Sequence, residues 1–371
     1  MPRPTRATPQ VRTAVIGAGS WGTTFAKILA DGGADVTIWA RRPEVARELD
    51  RAKRNSGYLP GISLPATLRA TSRLPEALAG AQQVYLSLPS QALRDNLAAL
   101  APYLAPDVTV VSLMKGVEKT SGLRMSELIV QNLPVPQERV AVVSGPNLAL
   151  EIAKEQPTAA VVAAYETEIA QAVASVAQNS YFHTFVNTDV IGTEFGGVLK
   201  NLIAVAIGIV EGAGYGANTQ ASIITRGLVE MTDFAVAYGA RPETLAGLAG
   251  LGDLIATSQS PLSRNNTAGR LLGQGYRLSD VIDQMRQTTE GLASVRPILE
   301  LARAKGVAMP IVEQVRQVLA GTLAPRDLTP QFVTDGVPRG ERTTDDANGG
   351  TSFRRTIQRA LDQLRHGRRD S

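Results

Sequence analysis

Through the first half of the chain, short apolar runs rich in β-branched residues alternate with stretches of helical period. Residues 13–16, 35–39, 84–88, 108–113 and 140–144 are apolar over most of their length, as strands buried on both faces are. Strands separated in this way by helical segments predict a parallel sheet covered by helices on both sides. Two further β-rich runs, 159–163 and 181–186, flank a helical stretch at 166–178 and extend that sheet.

From about residue 192 the character changes. Helical patterns at 197–210, 220–238, 266–273, 278–284, 294–305 and 311–320 predict a second, all-helical domain. Residues 195–210 are apolar apart from Lys200 and Asn201. That run is shorter than the roughly 20 residues a bilayer demands and carries a charge, so a buried core helix is expected and no integral membrane segment. Beyond residue 322 prolines, glycines and charges dominate, which predicts a disordered tail ending in a short basic helix. The fold class is α/β, with a flexible arm at 1–10, a sheet domain at 11–190, a helical domain at 191–321 and the tail at 322–371.

Composition narrows the chemistry. The 371 residues, 44% hydrophobic and 19% charged, suit two or three compact units rather than a disordered chain. With no cysteine and only two histidines, a disulfide framework, a thiol nucleophile and a Cys- or His-rich metal centre are all excluded, and no metal is expected. The net charge is +4, yet six arginines (Arg354, Arg355, Arg359, Arg365, Arg368 and Arg369) crowd the last twenty residues. A nucleic-acid surface needs its basic residues spread over a folded face, so no nucleic-acid partner is expected. The first ten residues hold prolines and arginines but no apolar export core, and a cytoplasmic location is expected.

Gly17-Ala18-Gly19-Ser20-Trp21-Gly22 directly follows the first predicted strand and opens a helix at 23–30. In that setting a glycine loop lets the backbone approach a pyrophosphate at the helix N-terminus, the mark of a Rossmann-like dinucleotide site. At the end of the next strand, where an acidic residue often accepts the ribose hydroxyls of NAD, stand Ala40, Arg41 and Arg42. A guanidinium there pairs with a 2′-phosphate, so NADPH is the expected cofactor, with NADH admissible. Lys115, in Met114-Lys115-Gly116, and the Ser144-Gly145-Pro146-Asn147 turn also fall at strand ends that open into the cofactor crevice.

In the helical half, Lys200 interrupts an apolar helix. Desolvating an ammonium lowers its pKa, which suits a proton donor or acceptor near neutral pH. Asp253, at the end of a glycine-rich run, is placed to balance it, while Ser263, Arg264 and Asn265 form a donor cluster suited to a phosphate monoester.

Taken together, GAGSWGT, MKGVE, SGPNLALE, GGVLKNLIAVAIGIVEGAGYGANT, ITRGLVEM and GLAGLGDLIATSQSPLSRN resemble the NAD(P)-dependent glycerol-3-phosphate dehydrogenases, from about residue 11 to about 319. The resemblance implies that Ser20, Trp21, Arg41, Arg42, Tyr58, Lys115, Ala149, Arg264, Thr288 and Glu290 lie along the cofactor with Gly17, Gly19 and Gly22. It implies that Lys115, Gly145, Asn147, Lys200, Asp253, Ser263, Arg264 and Asn265 bind the substrate, and that Lys200 is the catalytic proton donor and acceptor. The reaction implied is hydride reduction of dihydroxyacetone phosphate to sn-glycerol 3-phosphate, feeding glycerophospholipid synthesis, and a homodimer is favoured. Two features depart from the family: Thr288-Thr289 stand where members often carry valines, and the usual C-terminal ending is not recognisable after Leu319. The rival readings are a β-hydroxyacid or 6-phosphogluconate-type dehydrogenase, which must bind a carboxylate instead, and a silent dinucleotide sensor acting through the tail.

Overall fold

The structure, a computed structural model, describes residues 10–285 and 290–328. One sheet holds strands β1 (Arg12–Ile16), β2 (Asp35–Trp39), β3 (Arg69–Thr71), β4 (Gln83–Leu86), β5 (Thr109–Ser112), β6 (Val140–Ser144), β7 (Thr158–Ala164) and β8 (Phe182–Asn187). Their spatial order is β3-β2-β1-β4-β5-β6-β7-β8. All neighbours are parallel except β6 and β7, which run antiparallel with Val142 opposite Ala163. The order reverses between β1 and β4, and that switch point opens a crevice at the strands' carboxyl ends.

Helices α1 (Ser20–Asp31), α2 (Pro43–Arg47), α3 (Leu74–Leu78), α4 (Leu93–Leu100), α5 (Met125–Asn132), α6 (Ala149–Ala153) and α7 (Thr167–Ala177) alternate with the strands. One face of the sheet packs around Phe25, Tyr85 and Phe182, all fully buried. The other packs around Leu86, Leu97 and Ile129. The α/β expectation therefore holds, with corrections of detail. Strand β3 was not foreseen, because three residues with an exposed arginine carry no apolar pattern. Strand β4 stops at Leu86, leaving Ser87 and Leu88 free to turn into the crevice. Helix α1 begins at Ser20 rather than residue 23, so Ser20, Trp21 and Gly22 form its first turn behind the N-cap Gly19.

The second half is helical: α8 (Val190–Gly212), α9 (Ala217–Ala237), α10 (Pro242–Ala246), α11 (Asp253–Gln259), α12 (Arg264–Gly273), α13 (Leu278–Met285), α14 (Glu290–Ala304) and α15 (Pro310–Leu319). Helix α8 has 23 residues, long enough to cross a bilayer, so the argument from a short apolar run fails. Burial replaces it: 89% of its most apolar window is covered by the protein itself. The side chains of Phe195, Leu199, Ile203 and Ile207 carry the helical core. Residues 322–328, expected to begin the tail, instead pack onto this core, where Leu328 is fully buried and the Tyr215 hydroxyl donates to the Arg326 carbonyl at 3.1 Å. Residues 1–9, 286–289 and 329–371, with Thr288 and most of the expected arm and tail, lie outside the described residues.

Helices α8 and α12 touch backbone to backbone. A Cβ added to Gly208 would lie 2.2 Å from the Asn266 carbonyl oxygen, one on Gly212 2.2 Å from that of Arg270, and one on Gly269 2.2 Å from that of Val205. Glycines spaced four apart on both helices, Gly208 and Gly212 against Gly269 and Gly273, therefore permit a contact that no larger residue allows. It brings the first turn of α12 beside the middle of α8. The far end of α8 is fixed to the sheet domain by a buried pair, Arg124 Nη1 to Glu194 Oε2 at 2.5 Å.

Gly269→Ala is expected to lower stability by roughly 1–3 kcal/mol, the usual cost of overpacking a tight contact. Gly57→Ala, at a position where an added Cβ meets nothing within 4 Å, stays within about 0.5 kcal/mol of the parent. Denaturant unfolding of both variants checks this pair of outcomes.

Candidate active site

A cleft of about 780 Å³ lies between the two halves. Its walls are the glycine loop, the residues that follow β2, β4 and β5, the start of α6, the middle of α8, and the first residues of α12 and α14.

The glycine loop is shaped by contact and conformation. Gly17 has φ +113, and a Cβ there would lie 2.1 Å from the Ser87 carbonyl oxygen. One on Gly22 would lie 1.9 Å from the Gly17 carbonyl oxygen, so these two glycines let loop, helix and β4 pack closely. Gly19 is different: nothing lies within 4 Å of its hypothetical Cβ, and it is the N-cap of α1 at the cleft wall. That open space beside a helix N-terminus fits a pyrophosphate. The Ser20 hydroxyl donates to the Tyr58 carbonyl at 3.0 Å. The buried Asn55 amide holds the loop from behind through the Ala18 carbonyl at 3.0 Å and the Thr23 hydroxyl at 2.7 Å. Trp21, Tyr58 and Ala149 line the cleft. Arg41 and Arg42 line it as well, both exposed, with the Arg42 side chain 3.7 Å from Glu44.

At the deep end, the Asp253 carboxylate lies between two ammonium groups. Oδ1 stands 2.9 Å from Lys200 Nζ, and Oδ2 stands 2.5 Å from Lys115 Nζ. Asp253 is 1% exposed and Lys200 7%, so the lysine does not snorkel to water. Burial is the main influence on Lys200 and lowers its pKa to about 8; Asp253 works against that and the charge of Lys115 adds to it. Burial would raise the Asp253 pKa, but the two ammoniums outweigh it and hold the carboxyl below its usual range. Lys115 also donates to the Gly145 carbonyl at 3.0 Å. Gly145, at φ +135, turns the chain after β6 toward the cleft. Asn147 lines the cleft with both atoms of its buried amide lacking a protein partner, as expected of a side chain kept for a ligand.

The expected phosphate cluster is together but divided in role. Ser263 is the N-cap of α12, its oxygen accepting from the Asn266 amide at 3.2 Å. Asn265 donates to Asn201 Oδ1 at 2.8 Å and accepts from the Gly291 amide at 3.0 Å. Arg264 is exposed at the cleft wall on the first turn of α12. The cleft therefore offers an anion a helix N-terminus and a guanidinium. Glu290, the first residue of α14, also lines it.

Three participants escaped the sequence reading. The Thr257 hydroxyl accepts from Lys200 at 2.5 Å and donates to Asp253 Oδ1 at 3.2 Å; its spacing four residues after Asp253 on one helix was the available signal. Asn201, which holds Asn265, was visible only as the neighbour of Lys200. Ser90 falls in the Ser87-Leu88-Pro89-Ser90 run that the sequence places at a strand end opening into the crevice, but its bond to Glu290 at 2.6 Å was not readable, since that partner lies 200 positions away.

Residues 12–170 match the model of the NAD-dependent glycerol-3-phosphate dehydrogenase N-terminus, and residues 189–330 match that of the C-terminus. A glycerol-3-phosphate dehydrogenase [NAD(P)+] of Leifsonia xyli is 71% identical over 360 residues, covering 95% of this chain and 98% of the relative. One of Streptomyces griseus is 53% identical, covering 84% and 93%. The crystal structure of glycerol-3-phosphate dehydrogenase from Coxiella burnetii superimposes with a TM-score of 0.82 at 32% identity, covering 88% of this chain and 99% of that one.

Lys200, lowered to about 8, is expected to react with an amine-selective acylating reagent half-maximally near that pH once the reagent enters the cleft. Asp253→Asn removes the neighbouring negative charge, so the half-point moves to lower pH. Mass-spectrometric labelling across pH reads both, and an unmoved half-point contradicts the pairing.

Proposed function

Since the chain belongs to the NAD-dependent glycerol-3-phosphate dehydrogenase family, we propose that Lys200 is its proton donor and that the deep end of the cleft is where the ketone is reduced. The enzyme is an NAD(P)-dependent oxidoreductase of glycerol 3-phosphate. The observation that carries the site assignment is a buried lysine of lowered pKa, paired with Asp253, facing the same cleft as the glycine loop.

Residues 11–190 form the dinucleotide domain and residues 191–321 the substrate domain, each lending a few side chains to the other's ligand. The cofactor's diphosphate fits the α1 N-terminus at Gly19, and its remaining length runs past Trp21, Tyr58, Lys115, Ala149 and Glu290. Arg41 and Arg42 receive the 2′-phosphate of NADPH, the preferred form, with NADH as a weaker alternative. When bound, the reduced dinucleotide supplies the hydride for the C2 carbonyl carbon of dihydroxyacetone phosphate.

The protein's groups do the rest. Arg264, the first amides of α12 and Asn265 take the phosphate, beside the capping Ser263. The free amide of Asn147 and the backbone at Gly145 hold the hydroxyketone end. Lys200 transfers an ammonium proton to the carbonyl oxygen as negative charge develops there, and Lys115 adds a second positive charge against it. Asp253 holds both lysine heads in place while Thr257 fixes the direction of the Lys200 head. In the reverse direction neutral Lys200 removes the C2 hydroxyl proton. A homodimer and a cytoplasmic supply of glycerophospholipid precursors complete the proposal, and both rest on the family resemblance; analytical ultracentrifugation tests the first.

Lys200→Ala is expected to lower kcat by about 10²–10³, the cost of losing a key transition-state group, with the fold intact by circular dichroism. The donor must be protonated for reduction, so kcat/KM for dihydroxyacetone phosphate declines as pH rises through about 8, while that for glycerol 3-phosphate oxidation increases through the same value. An inverted or flat pair of profiles removes Lys200 from proton transfer.

Replacing both Arg41 and Arg42 by Ala is expected to reduce the NADPH-to-NADH ratio of kcat/KM by about 10-fold or more. Initial rates with the two cofactors decide this, and a panel of oxo acids run beside dihydroxyacetone phosphate checks the substrate. Faster turnover of an oxo acid overturns the phosphate assignment.

A further inference from the structure

Apart from the Lys115–Asp253 pair, a second polar link crosses the cleft. Ser90 Oγ, in the turn after β4, donates to Oε2 of Glu290 on α14 at 2.6 Å. The hydroxyl is 2% exposed as part of a buried residue, and it is oriented from behind. The backbone amide of Lys119 donates to Gln91 Oε1 at 3.0 Å. The Gln91 amide nitrogen in turn donates to the Val117 carbonyl at 2.8 Å and to Ser90 Oγ at 3.2 Å. With its oxygen accepting from Gln91, the Ser90 hydroxyl has its proton directed at the carboxylate. Donors thus run one way along the chain from Lys119 to Glu290, and a directed hydrogen bond to a charged acceptor is among the stronger kinds.

Gly116, within the MKGVE run, makes room for this link. A Cβ on it would lie 2.5 Å from Ser90 Cβ, 2.7 Å from Ser90 Oγ and 3.4 Å from Glu290 Oε2. The glycine directly after Lys115 is therefore required by the Ser90–Glu290 contact.

We propose that Ser90, oriented by Gln91 and accommodated by Gly116, is a positioning residue that latches Glu290 across the cleft and so sets the affinity for the dinucleotide. The inference rests on the reading of this cleft as the dinucleotide site. Glu290 lines the cleft beside the carboxyl ends of β4 and β5, and its other oxygen accepts from the Ser90 backbone amide at a longer 3.4 Å, so the hydroxyl makes the shorter of the two bonds that Ser90 gives the carboxylate. Holding α14 against the β4 turn pre-closes the cofactor end, so the latch contributes to binding rather than to proton transfer.

The test is a titration of the purified full-length protein with NADPH alone, read by quenching of protein fluorescence from Trp21 at the cleft wall, with steady-state kinetics in parallel. Ser90→Ala is expected to raise the NADPH Kd and KM at least 10-fold, while kcat falls no more than about 2-fold and the KM for dihydroxyacetone phosphate holds within about 2-fold. Gly116→Ala moves the same quantities in the same direction. Glu290→Gln keeps an oxygen that accepts from Ser90 and retains most of the affinity, whereas in a Glu290→Ala background the further change Ser90→Ala has no effect. An NADPH Kd within about 2-fold of the parent for Ser90→Ala, or an equal Ser90→Ala effect with and without Glu290, overturns the latch. A parent protein that binds NADPH but does not reduce dihydroxyacetone phosphate overturns the functional reading and leaves the latch standing.

Discussion

One carboxylate joins the two halves of this enzyme. Asp253 faces Lys115 from the sheet domain through one oxygen and Lys200 from the helical domain through the other. Each ammonium alone would be costly to hold out of water. Shared by one acid, the pair keeps a net positive charge beside the cleft, and Lys200 retains a pKa of about 8, close to a working pH. Burial and charge act in opposite senses on the same group, and their balance leaves it able to give and to take a proton.

The glycines serve that arrangement by distance rather than by flexibility. Gly208, Gly212, Gly269 and Gly273 let α12 lie on α8, which sets the first turn of α12 at a fixed reach from Lys200. Gly196 lets the loop before Asp253 approach α8, since a Cβ there would sit 2.4 Å from the Ala249 carbonyl oxygen. Gly17 and Gly22 do the same for the cofactor loop against β4. In each case the absent side chain is what allows two backbones to position the polar groups that follow them in sequence.

Seen this way, the cleft has a division of labour along its length. At one end an open helix N-terminus and two exposed arginines offer positive potential to a long anion. At the other, a second helix N-terminus with Arg264 does so for a short one. Between them stand the buried lysine and the unpartnered Asn147 amide. A sensor without chemistry has no use for an ammonium held at this cost beside its ligand.

The order of elements, the glycine loop and the candidacy of Lys200, Asp253 and Arg264 were legible in the chain because each depends on local pattern: period, turn chemistry, or a charge in an apolar run. Strand β3, the full length of α8, the reversed direction of β7 and the packing of residues 322–328 were not, since each is decided by what lies alongside. The same division applies to the site. Sequence alone determined which residue types were available for hydride chemistry on a phosphorylated ketone. Only the tertiary structure decided that Thr257 steers the lysine and that Ser90 meets Glu290, because hydrogen bonds act over about 3 Å between positions that the chain keeps far apart.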